Sequence, residues 1–513
     1  MKKILLFLLF PISVFGQSFK TDLGRSLDGS KLRELFQEQP ARLKLRHGSS
    51  MGLHTFFDTE KEIAYQGFGY SSGRRFEAGE FDNYINLHRT QLLSSEVELS
   101  EDQKIFIHGF LNFSNDFFIL YSINDKRNNE ERVYINQMSK EMVILGSPIL
   151  LMTFEEKRDS SAPLYFTSSP DKKSFAVVRE YQRRNVTENV LIKAFNQNFQ
   201  ELYKESIDVS SIQDLFVLKD VAISNNGRLY LYGGIDPRAD NLFVFTGAKD
   251  KSVPFLLAYQ PESKTVKEIS IAEPEVKKYY SYKFFLTETN EPAALSVYKA
   301  GRKTAYTVSH IDDKTTTVDW QLKDVLSPAA VSAAKKGKSK RKFLKVVSFT
   351  QLLGGEYVAS LETNFVTSSR TRYFSNSGAI ILLGLEKSGE EAWERVINKH
   401  HKLPGTDLHS SHKAFANSSG LLLVYNDDFR NLASPPARRK VKKLKKTKKA
   451  VAVGVEVSAD GKVEKFLLSG APKGLVLDMY HFPKIKDKLY QFRLSSYKSF
   501  GRFETTYGKL ELK

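Results

Sequence analysis

From about residue 74 to the C-terminus, short runs rich in Val, Ile, Leu, Phe and Tyr alternate with turn residues about every 8 to 12 positions, a strand-turn-strand rhythm with little helical periodicity. Three stretches predict tight antiparallel hairpins. In "VAISNNGRLYLYGG" the pair Asn226-Gly227 suits the two positive φ values of a type I′ turn, and Asp460-Gly461 and Ser388-Gly389 repeat the arrangement in "GVEVSADGKVEKFLL" and "ILLGLEKSGEEAWERVI".

These hairpins belong to longer units of similar order. "SPDKKSFAVVREY" with "VLIKAFNQNFQELYKESIDV", "SNNGRLYLYGGI" with "FLLAYQPESKTVKEISI", "GGEYVASLE" with "AIILLGLEKSGEEAWERVI", and "NSSGLLLVYND" with "VAVGVEVSADGKVEKFLL" each run turn, strand, strand, turn, strand. Units of about 50 to 60 residues with roughly four strands each predict the blades of a β-propeller. The expectation is an all-β fold over 74–513 with seven blades, six or eight being the neighbouring counts. A pair of β-sandwiches ranks lower, because the repeated order continues without an obvious linker. The last strand, "TTYGKLELK", would complete a sheet begun near the N-terminus and hide two unpaired edges.

Residues 17–73 read as an N-terminal segment holding one short helix in "SKLRELFQEQP". Before it, "MKKILLFLLFPISVFGQ" has a positive start, an apolar run and compact residues Val14 and Gly16, the layout of a secretory signal over 1–16. No later stretch approaches the roughly 20 apolar residues of a membrane-spanning helix. The expected location is therefore outside the cytoplasm: the periplasm, the periplasm-facing outer membrane, or the extracellular space. The absence of cysteine excludes a disulfide framework, a thiolate metal site, a cysteine nucleophile and an acylated cysteine anchor.

The formal charge of +18 is unevenly spread. Arg438, Arg439, Lys440, Lys442, Lys443, Lys445, Lys446, Lys448 and Lys449 crowd into twelve residues, and Lys335, Lys336, Lys338, Lys340, Arg341, Lys342 and Lys345 form a second tract without an acid. With the two signal-segment lysines removed, the remaining body is close to neutral. Both tracts read as loop insertions. The first follows "SPP" and precedes the strand "AVAVGVEV". In water such a block stays disordered; against an anionic surface, Val441 and Leu444 would give it a weak apolar edge along a short basic helix. These sixteen residues are the candidate interaction site, for lipid phosphates or an acidic protein surface. Nucleic acid is not expected outside the cytoplasm. A solvated insertion that touches nothing is the competing reading.

Other chemistry is thinner. His400, His401, His409 and His412 cluster in "NKHHKLPGTDLHSSHK", yet no metal-binding spacing is matched, so no metal and no cofactor are expected. Asn426, Asp427 and Asp428 could offer oxygens to calcium, but the same residues cap turns, and capping is the better reading. Glu362 ends the strand "YVASLE" and could point into a central channel, where a glycosidase would need a second acid that the sequence does not identify. A nucleophile elbow, a zinc-protease helix and a phosphate-binding glycine loop are all missing from the sequence. The 37 Phe and 23 Tyr, against two Trp, mostly alternate with polar residues along strands and read as inter-blade core rather than sugar platforms.

Asn226, Gly227, Tyr230, Leu231 and Gly233, the run Gly355 to Glu362, Ile380 to Lys399 with Gly389, Glu390 and Trp393, and Asn426, Asp427, Asp428 and Asn431 together resemble the blade pattern of an uncharacterised family of exported β-propeller proteins from Gram-negative bacteria. The resemblance runs from about Asp171 to the C-terminus and departs at Tyr203, where the pattern has Trp, and at Asp428, where it has Asn. It implies a fold and an exported location, and carries no catalytic residues. The functional expectation is a non-enzymatic binding scaffold, in one version an accessory or gating component of an outer-membrane transport or protein-export complex. The alternative is a hydrolase or lyase acting on an extracellular polymer at the central channel.

Overall fold

A computed structural model describes the strands Phe19–Leu23, Leu27–Asp28, His54–Asp58, Ile63–Gly69, Phe76–Asp82 and Asn86–Leu93, and most of the chain from residue 103 onward apart from connections such as 237–251, 336–343, 405–410, 433–440 and 469–473. The signal segment and the helix expected near residues 30–40 lie outside the described residues.

The strands form eight successive antiparallel sheets. Sheet 1 spans His54–Asp58 to Asn86–Leu93, and sheet 2 spans Gln103–Phe113 to Ile144–Glu155. Sheet 3 runs from Leu164–Ser168 to Glu201–Asp208, sheet 4 from Phe216–Ile223 to Thr265–Ile269, and sheet 5 from Tyr279–Leu286 to Thr317–Val325. Sheet 6 runs from Leu344–Gln351 to Glu391–Ile397 with His401–Pro404 added on its third strand, and sheet 7 from His412–Asn417 to Val463–Leu467. Sheet 8 joins Val476–Leu477, Leu489–Tyr497 and Phe503–Leu512 to the N-terminal strand Phe19–Leu23, paired from Phe19 opposite Leu512 to Leu23 opposite Gly508. The chain is a β-propeller, closed by its two ends as the sequence predicted.

The described residues form eight blades rather than seven. The additional sheet uses His54–Asp58 and Ile63–Gly69, which pair with Phe76–Asp82 and Asn86–Leu93, so it crosses residue 73. Its strands "HTFFD" and "IAYQGFG" carry polar residues and glycines, which weaken the β signal.

Packing follows the propeller principle that each sheet buries both faces. One apolar cluster lies between sheets 2 and 3 around Phe113, Phe154 and Phe175, and another between sheets 3 and 4 around Val178, Ile192 and Leu231. The succession continues through sheet 8, ending with Leu422, Leu477 and Phe492. The stack also curves back on itself: Lys484 of sheet 8 reaches Glu288, in the first hairpin of sheet 5, at 2.7 Å.

The three hairpins form where expected but with a different turn. Gly227 N donates to Ser224 O and Ser224 N to Arg228 O, both at 2.9 Å, and only Gly227, at φ +76°, takes the left-handed conformation. Gly389 and Gly461 repeat this geometry. Each is a three-residue loop with a glycine bulge, an alternative to the type I′ turn that needs one positive φ instead of two. Asn226 is thereby released to bond Asp313 at 2.6 Å, tying sheet 4 to sheet 5.

Two of these glycines also make room for the two tryptophans. Trp320 of sheet 5 packs on Gly389 of sheet 6, and Trp393 of sheet 6 packs on Gly461 of sheet 7 while its indole N–H donates to Ala459 O at 2.7 Å. Tyr203 donates its hydroxyl to Gly227 O at 2.9 Å, a further contact between sheets 3 and 4.

A Cβ at Gly389 would lie 2.3 Å from the Trp320 ring, whereas one at Gly227 meets nothing within 4 Å. Gly389→Ala should therefore cost about 3 kcal/mol, combining backbone strain with overpacking, and Gly227→Ala only about 1 kcal/mol. Urea unfolding of both variants checks this; equal losses would show that the tryptophan contact contributes nothing.

Candidate docking surface

Antiparallel order places the described parts of both basic tracts at one end of the sheets. The first strand of each sheet runs toward the end that carries the glycine hairpins, the second returns, and the connection after the second and the connection between sheets lie at the opposite end. Residues 429–449 link the second and third strands of sheet 7, and residues 326–343 link sheet 5 to sheet 6. Both belong to the end remote from the hairpins.

The tract at 335–345 is not simply a loop. Lys335 ends the helix Pro328–Lys335, and Lys345 lies exposed on the first strand of sheet 6. The alanines of the helix pack against sheets 5 and 6, and Ser327 caps it by accepting from Ala330 N at 3.1 Å. Lys336, Lys338, Lys340, Arg341 and Lys342, like Arg438, Arg439 and Lys440, fall outside the described residues.

The remainder of the tract at 438–449 is anchored rather than extended freely outward. Leu444 is completely buried with Leu403, Ala450 and Val476, so it offers no apolar edge to a membrane. Its backbone bridges to the neighbouring strand: Leu444 N donates to His400 O and Lys402 N to Leu444 O, both at 2.9 Å. The Asn431 side chain clamps Lys442 from both sides, accepting from its N–H at 2.8 Å and donating to its carbonyl at 2.9 Å. A short 3₁₀ turn, Thr447–Lys449, leads into the third strand of sheet 7. Lys442, Lys445, Lys446 and Lys448 stand exposed, and Lys443 and Lys449 are half-buried. Burial and the like charges of Lys402 and Lys445 hold the Lys443 ammonium below the usual lysine range. The surface is thus positively crowded and fixed in place.

Beneath it lies a buried polar network between sheets 6 and 7. Glu362, Lys399 and His412 have no exposed side-chain surface. Lys399 Nζ donates to Glu362 Oε1 at 2.5 Å and to Ser411 O at 2.9 Å. His412 bridges Glu362 Oε2 and Ser360 Oγ, each at 2.9 Å. Burial alone would push the Glu362 carboxyl up; the Lys399 charge and the His412 bond outweigh it and hold it below the usual carboxylate range. Burial keeps His412 below the ordinary histidine value despite Glu362. Glu362 therefore faces the interior with both oxygens engaged, not an open channel.

The "YNDD" residues serve structure. Asn426 exchanges two hydrogen bonds with the Leu477 backbone, Asp427 pairs with Lys465 at 2.6 Å, and Asp428 caps the turn Phe429–Asn431 while binding Arg430. Among the described residues no group of three or more His, Cys, Asp or Glu side chains could hold a metal; His412 already uses both ring nitrogens, and His409 lies outside the described residues. No helix there is long and apolar enough to cross a membrane.

Sequence reasoning missed Lys399 as the partner of Glu362 and Leu444 as an anchor. A lysine between histidines in "INKHHK" looks solvated, and one leucine among lysines looks incidental.

No known protein family matches the sequence, and no curated protein resembles it closely enough to count as a relative. Among solved structures, the chain is similar to the polysaccharide lyase Uly1 at 9% identity, covering 96% of this chain and 97% of that one, with a TM-score of 0.37. It is also similar to prolyl oligopeptidase B from Galerina marginata at 10% identity and a TM-score of 0.37, covering 91% of this chain and 57% of that one. Oligopeptidase B from Leishmania major follows at 8% identity and a TM-score of 0.35, with 78% and 47% covered. The chain thus spans about half the length of the two peptidases it matches.

Glu362→Gln should destabilise the protein by about 3 to 5 kcal/mol, since it leaves Lys399 buried without its counter-charge. The double variant Glu362→Leu with Lys399→Met should lose less, because both charges go together. Chemical denaturation that finds the single variant harmless would refute the ion pair.

Acid should act in the same direction through both groups. With a lowered folded value, Glu362 contributes stability above the ordinary carboxyl range that disappears as pH falls through its folded value. His412, neutral when folded, adds a loss once pH falls below the ordinary histidine value, because the unfolded chain then binds the extra proton. Stability measured from neutral pH downward should fall progressively, and His412→Asn should flatten the upper part of that fall; an unchanged profile would exclude His412.

Proposed function

We propose that the protein is a non-enzymatic, exported binding scaffold that docks through its basic end to an anionic surface at the outer membrane, as an accessory component of a transport or protein-export complex. The single observation that carries this reading is the anchored segment 441–449, in which Leu444 and the Asn431 clamp fix exposed lysines on a rigid body. A pre-organised cationic surface loses less conformational entropy on binding than a disordered arm. Lys335 ends the helix in the connection at the same end, and Lys345 stands exposed on the strand after it. The resemblance to exported propellers and the signal-like N-terminus support the location. The enzymatic alternative loses its named acid, because Glu362 is enclosed and paired.

Deleting 438–449 would also remove Leu444 from the core, so substitution is the cleaner test. Lys442, Lys445, Lys446 and Lys448 changed together to serine should leave thermal stability nearly unchanged. Affinity purification of the tagged protein from its native cells in mild detergent should recover a stoichiometric outer-membrane partner with the parent chain and lose it with the variant. Raising salt from about 0.1 M to 1 M, which shortens screening from about 10 Å to 3 Å, should release the partner. Recovery alone in every case, or a partner held equally by the variant and at high salt, would overturn the proposal.

A further inference from the structure

His401 stands where the basic segment is held to the propeller. Leu444 makes its two backbone hydrogen bonds to the neighbours of His401, one to His400 O and one from Lys402 N, so His401 and Leu444 form a parallel bridge. On its other edge the strand His401–Pro404 pairs with the third strand of sheet 6, with Ser377 opposite His401. This four-residue strand therefore joins the segment 441–449 to the body.

The His401 ring is completely buried, and neither of its nitrogens completes a hydrogen bond. Ser377 Oγ, across the pair, and Tyr425 Oη, on the second strand of sheet 7, are also buried without a partner. Buried polar atoms are ordinarily paired, and an unpaired imidazole is far cheaper to enclose neutral than charged.

The groups that act on the ring are mostly cationic. Lys399 and His400 lie on its own connection, and Lys465 on the fourth strand of sheet 7. Lys399 and Lys465 also lie 5.4 and 5.6 Å from the Tyr425 ring centre. The nearby carboxylates are engaged by these lysines, Glu362 by Lys399 and Asp427 by Lys465. On the segment itself Lys443 feels Lys402 and Lys445, so that side is cationic too. The Asn426 backbone favours a charged ring, but burial first and the Lys399 ammonium second outweigh it and hold His401 well below the usual histidine range.

We infer that His401 is a pH-sensitive latch: a proton on its ring expels it from between sheets 6 and 7, breaks the bridge to Leu444 and frees the segment 441–449. Ring and bridge move together, because the backbone that carries the ring into water is the backbone that bonds Leu444. Since the closed ring is the weaker base, closure is fully favourable above the ordinary histidine value and weakens below it, by about tenfold in the open fraction per pH unit. The latch is a property of the chain alone; only its effect on binding, the loss of a fixed lysine array, rests on the docking proposal.

Hydrogen exchange of the full chain from about pH 7 to 5, corrected for the intrinsic rate, tests it. Peptides covering 400–404 and 441–449 should lose protection about tenfold per pH unit below about 6.5. Peptides from Gly420–Asp428 in sheet 7 and Leu229–Ile235 in sheet 4 should keep theirs. His401→Met, which fills the space without titrating, should hold the segment closed throughout. His412→Asn, which removes the other buried ring of this interface, should leave the local response in place. If circular dichroism shows that His401→Met fails to fold, His401→Gln replaces it, and the parent profile remains decisive. Segment protection that does not fall from pH 7 to 5 relative to the two reference strands, or that falls equally in a folded His401 variant, would overturn the inference. Release of the segment in acid without loss of the outer-membrane partner would support the latch and count against the docking proposal.

Discussion

Closure of the ring by Phe19–Leu23 on Phe503–Leu512 is the constraint on which the other contacts depend. Each interior sheet is stabilised by two neighbours, and a lone sheet could bury only one face. A linear stack would expose apolar faces at both ends and leave strand edges open to association. Pairing the N-terminal strand with the last one makes sheet 8 out of both ends of the chain. Fraying of that pairing would loosen sheet 8 and, through the cluster of Leu422, Leu477 and Phe492, sheet 7.

Against this background the two ends of the propeller have different physics. At the hairpin end the contacts are short and geometric: glycine loops, tryptophans seated on the next sheet, and Asn226 bonded to Asp313. These contacts leave little room for exchange of partners. At the opposite end the connections 326–343 and 429–449 are long and the interior beneath the latter is charged. Glu362 is enclosed with Lys399 and His412, and Asp427 and Asp428 are neutralised by Lys465 and Arg430. A buried ion pair adds little net stability over a well-packed apolar substitute, but it penalises misplacement strongly. Its consequence here is positional: the strand ends that hold His400, Lys402 and Asn431 are fixed, and through them the segment at Leu444.

Much of this fold was legible in the sequence because it depends on local pattern. Alternating apolar runs, glycine turns and the terminal strand follow from side-chain period and turn chemistry, which a single sequence displays. The eighth sheet was hidden because "IAYQGFG" carries glycines and polar residues where a strand signal needs branched or aromatic ones. The turn type was hidden because a glycine after an asparagine suits either a type I′ turn or a bulged loop, and neighbouring sheets decide between them. Glu362 could be singled out by its place at the end of an apolar strand, whereas Lys399 could not: nothing local distinguishes a lysine that will meet a buried carboxylate from one that will meet water. The hydrogen bond between Lys219 and Tyr282, 63 residues apart, likewise exists only once sheets 4 and 5 are packed together.

The same reasoning explains why the basic tract is better understood as part of the surface than as an appendage. Like charges spaced closely along a chain favour extension, and a segment held only at its ends would spread its lysines over many arrangements. Burying Leu444 restricts those arrangements to a few, and the Asn431 clamp fixes the backbone two residues earlier. The restriction has an electrostatic cost, visible in Lys443, whose charge is disfavoured by Lys402 and Lys445 as well as by burial. In the isolated molecule the burial of Leu444 with Leu403, Ala450 and Val476 and the Asn431 hydrogen bonds offset that repulsion. An anion placed against these lysines would relieve the repulsion, which is the electrostatic premise of the docking proposed for this surface.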